Sequence, residues 1–298
     1  MFKTIRCTTL LVVLLPFLFC FSSCLDDFDP FSDLKGSRAD IRNMLKAEDI
    51  TQRKSIDSDN FTFISKTGVV VTAKPNSFAY IDGTIASGMI DFEMIELFTK
   101  SDILRYGIPT QTKEAILASD GEFLFKAFQN GQPLNLTEGK VLKLFVPNPK
   151  PNPEMELFDG VEDLWWKTNN TDNFRVIRDE DVIKGYLFSI ERLKWVNIDY
   201  FTKFNLPLTP ITISLPDGYQ QDKISMWMVF RDLDVVLPAS VKNLPIGQVV
   251  SIVCIAAEDT NTFRMDIKEV TIEEDLKVNL DPKEASAATI KKRLSELD

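Results

Sequence analysis

Met89-Ile90-Asp91-Phe92-Glu93-Met94-Ile95-Glu96 is the stretch that decides the fold class. Ile90, Phe92 and Met94 alternate with Asp91, Glu93 and Ile95, and a β-strand sends successive side chains to opposite faces. Period two with one polar face predicts a strand from Met89 to Phe98 in a half-solvated antiparallel sheet. Upstream, Gly68-Val69-Val70-Val71-Thr72-Ala73-Lys74 is β-branched and stops at Pro75, and Ile81-Asp82-Gly83-Thr84 carries a turn. Downstream, Ser101 to Tyr106 reads as one helical turn closed by Gly107. Gly121-Glu122-Phe123-Leu124-Phe125-Lys126-Ala127-Phe128 is a strand, and the Asn130-Gly131 pair after it predicts a hairpin turn. Val141 to Val146 is a further strand, stopped by Pro147, Pro149, Pro151 and Pro153. Short strands with frequent turns predict a β-sandwich.

The remainder of the chain is β again, with helices at its edges. Ser37-Arg38-Ala39-Asp40 resembles a capping box, which predicts a short helix from about Ala39 to Asp49, followed by a polar linker from Thr51 to Asn60. Tyr186 to Ile190 and Trp195 to Phe201 lie in an aromatic and acidic region that also holds Trp165, Trp166 and Asp179-Glu180-Asp181. Ile224 to Phe230 is nearly all apolar, so burial on both faces is expected. Phe263, Met265 and Ile267 alternate with Arg264, Asp266 and Lys268 as a half-exposed strand. Asp281 as N-cap and Pro282 at the first helical position predict a final helix with the stripe Ala287, Ile290, Leu294 and Leu297. The fold class read from the sequence is therefore mostly β. It comprises two antiparallel β-sandwich-like domains, a short N-terminal helix and a C-terminal helix.

A family resemblance attaches to residues 61–147. Thr67-Gly68-Val69-Val70-Val71, Gly83 to Gly88 leading into Met89–Glu96, Lys100-Ser101-Asp102-Ile103, Pro109-Thr110, Ser119-Asp120-Gly121-Glu122-Phe123 and Gly131 to Leu136 resemble the ZU5-like β-sandwich of Bacteroidota surface proteins. The resemblance implies an adhesion or interaction module and brings no catalytic residues.

The N-terminus reads as an export and anchoring device. Lys3 and Arg6 precede an apolar run from Leu10 to Phe21, the order of a secretory signal peptide. The run falls short of the about 20 residues a bilayer-spanning helix requires. Phe21-Ser22-Ser23-Cys24 resembles a bacterial lipobox, which implies lipidation of Cys24. Asp26, Asp27 and Asp29 resemble the acidic export signal of Bacteroidota surface lipoproteins; a plain solvated tether is the alternative. The expected division is 1–23 signal peptide, 24–60 lipid anchor, acidic tether and short helix, and 61–147 ZU5-like sandwich. Residues 148–210 form a proline-rich crossing with an aromatic and acidic middle region, and 211–298 a C-terminal β domain with a terminal helix.

Composition narrows the chemistry. The net charge is −10, and loss of Lys3 and Arg6 with the signal takes it from −10 to −12. With no basic cluster to track phosphates, nucleic acid is not an expected partner. The chain has no histidine, which removes Ser-His-Asp and Cys-His nucleophile pairs and most zinc sites. After processing, Cys254 alone remains of the four cysteines outside the signal and anchor, in an apolar strand where it reads as a buried hydrophobe. No cofactor is expected.

Trp195, Asn197 and Asp199 share a strand face by period two and form the first candidate for ligand contact. They could hold a sugar hydroxyl pair or a calcium ion, or the Asn and Asp could bond loop backbone beside a core Trp. Trp165 and Trp166 are adjacent, so on a strand one faces the core and the other offers a ligand contact. The function expected is a non-catalytic outer-membrane lipoprotein, surface-exposed and bound to the membrane through its N-terminal lipid, with a protein or glycan partner. The alternative is an accessory glycan-binding lipoprotein of a nutrient-uptake system. A hydrolase using carboxylates alone stays formally open.

Overall fold

The computed structural model describes residues 36–46, 50–160, 166–169, 173–178, 184–220 and 223–298. Cys24, Asp26, Asp27, Asp29, Trp165 and the triplet Asp179-Glu180-Asp181 lie outside the described residues. The helices are α1 (Arg38–Leu45), α2 (Lys100–Tyr106) and α3 (Ala287–Ser295). The first strands are β1 (Thr51–Asp57), β2 (Thr62–Ile64), β3 (Val70–Ala73), β4 (Phe78–Ala79), β5 (Met89–Leu97), β6 (Leu117–Gln129), β7 (Gln132–Leu136) and β8 (Leu142–Pro147). Next come β9 (Glu156–Gly160), β10 (Trp166–Thr168), β11 (Arg175–Ile177), β12 (Gly185–Ile190) and β13 (Trp195–Phe201). The C-terminal strands are β14 (Leu208–Thr209), β15 (Thr212–Ser214), β16 (Ile224–Phe230), β17 (Val236–Pro238), β18 (Leu244–Pro245), β19 (Val249–Ala257), β20 (Phe263–Thr271), β21 (Lys277–Asn279) and β22 (Lys283–Ala285).

Two sheets make a sandwich. The first runs β1-β5-β6-β13-β9-β10, with β7 and β4 attached beside β6, and the second runs β11-β12-β8-β3-β2. Between them lies an apolar core that includes Phe92, Met94, Phe123 and Phe125 from the first sheet and Val71, Leu144, Val146 and Phe188 from the second. Phe92 meets Phe61 and Phe63 edge-on at ring separations of 4.9 and 5.2 Å, the arrangement aromatic quadrupoles favour. The Asn-Gly turn forms as its sequence predicts. Gln129 pairs with Gln132, and Asn130 and Gly131 take φ of 51° and 76°, the positive angles of a type I′ hairpin.

A third sheet, β17-β16-β19-β20-β22, builds the C-terminal part. One of its faces carries Met228, Phe230, Val250, Ile252 and Cys254, packed beneath the two small pairings β14-β18 and β15-β21. Cys254 is fully buried there, and burial pushes its thiol up to about 12. The opposite face carries Val229, Val253 and Ile255. They pack with Ile41 and Leu45 of α1, Ile290 and Leu294 of α3, and Ile95, Leu97, Phe158 and Trp166 of the first sheet. The sandwich and the C-terminal sheet therefore share one hydrophobic core.

Several expectations change. Thr51–Asp57 is an edge strand, β1, paired antiparallel along β5 from Thr51–Ile95 to Asp57–Met89. Its polarity reflects an exposed edge, where Arg53 meets Glu93 at 2.7 Å. The α1 helix ends at Leu45 rather than Asp49, but its capping box is present: Ser37 and Asp40 bond each other's backbone. The second half of β5 is buried on both faces, because the C-terminal core covers the side expected to be solvated. In β16, by contrast, Ser225, Met226 and Trp227 are only half-buried, since they line a surface groove. The last helix begins with Ser286 as its cap, and Lys283–Ala285 instead pairs with β20 as an edge strand.

The middle region joins the sandwich. The proline-rich run carries the chain from β8 in the second sheet to β9 in the first, extended because each Pro fixes φ and blocks helix before it. β12 and β13 then pair with β8 and β6, so the sandwich extends from 51 to 201, past the 61–147 boundaries.

One close approach fixes that return. Gly185 opens β12 at φ 153°, and a Cβ there would lie 2.1 Å from the Val146 carbonyl oxygen. Gly185→Ala is expected to lower stability by about 1–3 kcal/mol from backbone strain alone, measured by denaturant unfolding.

Candidate functional site

β13 pairs with β6 over its length, and the register shifts between Ile198 and Asp199: Ile198 faces Gly121, whereas Asp199 faces Ser119. Asp120 is thus the extra residue of a β-bulge, which re-aims side chains on either side of it. The bulge sorts five polar residues into two groups. Ser119 and Glu122 join Asn197 and Asp199 on the face covered by the C-terminal core. Asp120 reaches across the sandwich to Tyr186 of β12.

The first group is a polar island in an apolar interface. Ser119, Glu122, Asn197 and Asp199 are all buried, and Glu122, Asn197 and Asp199 are inaccessible to solvent. The Ser119 hydroxyl donates to Asn197 Oδ1 at 2.9 Å, and Asn197 Nδ2 donates to Asp199 Oδ2 at 2.5 Å. Asp199 Oδ1 and both carboxyl oxygens of Glu122 have no hydrogen-bond partner among the described residues. An ionised carboxylate without donors in such a place costs several kcal/mol. Burial, and then the neighbouring Asp199, push the Glu122 pKa well above the usual carboxylate range. Asp199 is also raised well above it by burial, against the opposing contacts of Ser119 and Asn197. The centre is therefore built to hold protons.

The second group is hydrogen-bonded, and its Asp120 is only half-buried while Tyr186 is fully buried. Asp120 Oδ2 accepts from Tyr186 Oη and, at 3.0 Å, from Asn148 Nδ2. The backbone N–H of Asn152 donates to Tyr186 Oη at 2.8 Å. Asn148 thus fastens the proline-rich crossing to the bulge, and Asn152 fastens it to Tyr186. Burial raises the pKa of Asp120, with the Tyr186 hydrogen bond opposing it. Burial, then the Asp120 contact, raises that of Tyr186.

The candidates from the sequence fall in different places. Asn197 and Asp199 do meet, on the same face as Trp195, but they are sealed from any ligand. Trp195 is half-buried at the rim of the core, its ring edge-on to Tyr106 at 6.0 Å. Trp166 is core: its indole N–H donates to the Pro109 carbonyl at 2.8 Å, and it is 3% exposed. It offers no face for a ligand contact. Among the described residues, no group of three or more His, Cys, Asp or Glu side chains could hold a metal ion. Calcium takes six to eight oxygens, whereas the one side-chain oxygen of Asn197 and one of the two of Asp199 are already engaged. Glu122, Ser119 and Asp120 were missed as site residues. Their signal was a glycine flanked by acids inside a strand otherwise apolar, which marks a bulge.

An unfolded glutamate releases its proton near pH 4.3, and the folded one holds it to higher pH. The stability Glu122 contributes is full below about pH 4.3 and is lost as pH rises towards the folded pKa. Glu122→Met, an apolar residue of similar length, is expected to raise stability by about 1–3 kcal/mol at pH 7. The gain should shrink towards pH 4, as read by denaturant unfolding at both values. No family model matches the chain, and no curated protein or solved structure matches it, so the reading of this centre rests on its own chemistry.

Proposed function

We propose that the chain is a non-catalytic outer-membrane lipoprotein, held through lipid on Cys24 and exported by Asp26, Asp27 and Asp29, that faces the cell exterior as a binding module. The observation that carries this reading is how the first described residues are fastened. Gly36 N–H donates to the Glu258 carbonyl at 3.2 Å, and a Cβ at Gly36 would lie 2.5 Å from the Ala257 side chain. The capping box of α1 follows at once, and Arg38 Nε donates to the Ile224 carbonyl at 2.7 Å. Gly36, twelve positions after the candidate lipid-bearing cysteine, is thus already fastened to the C-terminal sheet. Twelve residues reach at most about 40 Å when extended, which suits a short tether carrying a β-module.

The two fully buried carboxyls, Glu122 and Asp199, support the non-catalytic part of the reading. A glycosidase pair must flank a substrate in an open cleft, and these two open onto none.

Protease accessibility on intact cells tests the proposal, with wild type compared against Cys24→Ala and Asp26→Ala/Asp27→Ala. Wild type is expected to be membrane-bound and shaved, the acidic double variant membrane-bound but protected, and Cys24→Ala released from the membrane. A wild type that is membrane-bound yet protected would overturn the outward orientation. A Cys24→Ala chain that stays in the membrane fraction would overturn the anchor.

A further inference from the structure

A groove of about 510 Å³ runs between α1, the start of β16 and the segment 238–240. Its described lining includes Arg38, Arg42, Arg105, Met226 and Trp227, and no carboxylate. In a chain of net charge −10, Arg38 and Arg42 side by side in a wall whose described lining holds no carboxylate make a local reversal of sign. Such a cleft concentrates anions.

The arginines are arranged, not scattered. Arg38 and Arg42 are four residues apart on α1, so they project from one face, one turn after the other. Ile41 and Leu45, each three positions after one of these arginines, lie buried on the adjoining stripe and also line the groove. The Nε bond from Arg38 to the Ile224 carbonyl fixes its stem at the groove wall. Arg105 is engaged by the Leu45 carbonyl at 3.3 Å and by Asp102 at 3.6 Å, so it braces α2 against α1. Arg42 is exposed.

Trp227 supplies a flat apolar wall. Its indole N–H donates to Ser225 Oγ at 2.8 Å, which fixes the ring. Gly107 lies under it, where a Cβ would come within 3.6 Å of the ring. Half-buried, the indole packs on the shared core and also lines the groove. A fixed aromatic plane beside planar guanidinium donors suits a ligand with an apolar ring face and an anionic substituent.

We infer that this groove is a binding site for an acidic saccharide, a sugar unit bearing a carboxylate or sulfate, seated against Trp227 and paired to Arg38 and Arg42. Arginine grips carboxylate and sulfate-like groups through two parallel hydrogen bonds. The volume lies in the range of small-ligand sites. The inference deepens the binding-module reading, but it does not depend on the anchor.

Calorimetric titration of the purified full chain tests it, with trigalacturonate and a heparin-derived tetrasaccharide as acidic probes and maltotriose as the neutral one. At least one acidic probe is expected to bind and maltotriose not to. Arg42→Glu is expected to weaken binding tenfold or more at an unchanged melting temperature, because the side chain is exposed. Trp227→Phe is expected to weaken it less, and Arg38→Gln to fall between. The proposal is overturned if neither acidic probe binds, if maltotriose binds equally, or if Arg42→Glu leaves affinity unchanged. Inorganic sulfate displacing the saccharide at equal concentration would show that the site reads charge alone and would overturn the saccharide assignment. Loss of surface exposure in the cell assay would leave this titration unaffected, so the two failures are distinguishable.

Discussion

The outer face of the first sheet cannot face water. Ile95, Leu97, Phe158 and Trp166 make it apolar, and burying such surface is the dominant favourable term in folding. The third sheet and helices α1, α2 and α3 answer that need, with Val253, Ile255, Ile41 and Ile290 closing over it. The C-terminal half is thus the second wall of a core begun by the N-terminal half. Polar bonds at the seam fix its register. Buried Lys100 of α2 donates to the carbonyls of Phe230 and Arg231, and Asp298 accepts from the backbone N–H and hydroxyl of Ser101.

Within that seam the carboxyls of Glu122 and Asp199 are an internal conflict. Burial that stabilises the surrounding aliphatic residues penalises the two acids. A cheaper solution would be apolar residues of the same size. The bulge at Asp120 explains how the polar group is held together: were the strand to alternate regularly through Asp120, Ser119 would point into the sandwich, and Asn197 would lose the hydroxyl that bonds its oxygen.

Much of this was legible in the residues. Ile90, Phe92 and Met94 gave the strand, Asn130-Gly131 the hairpin, and Ser37 with Asp40 the helix start, because each rests on local geometry. The mostly β class followed from them. What was not legible depends on partners distant in sequence. Thr51–Asp57 reads as a polar linker until β5 is beside it. The polar side of β5 reads as solvated until the third sheet covers it. Lys283–Ala285 follows an Asp-Pro pair that predicts a helix, yet pairing with β20 outweighs that local preference. In the candidate site, the period-two grouping of Trp195, Asn197 and Asp199 was readable, but their burial was not. Nor could spacing show that Arg38 and Arg42 would meet Trp227, which lies about 185 positions further along the chain.

The attachment of Gly36 has a mechanical consequence. Tension applied from the N-terminal side enters through one backbone bond to Glu258, then the capping box, then the Arg38 bond to Ile224. These bonds are loaded one after another, as in a zipper, whereas the strands of the sandwich resist through many bonds at once. Pulling would therefore peel α1 away first and leave both sheets of the sandwich standing. Because α1 supplies Arg38 and Arg42, the groove would come apart at loads the rest of the protein withstands, so a bound anion would be released by force before the fold is lost.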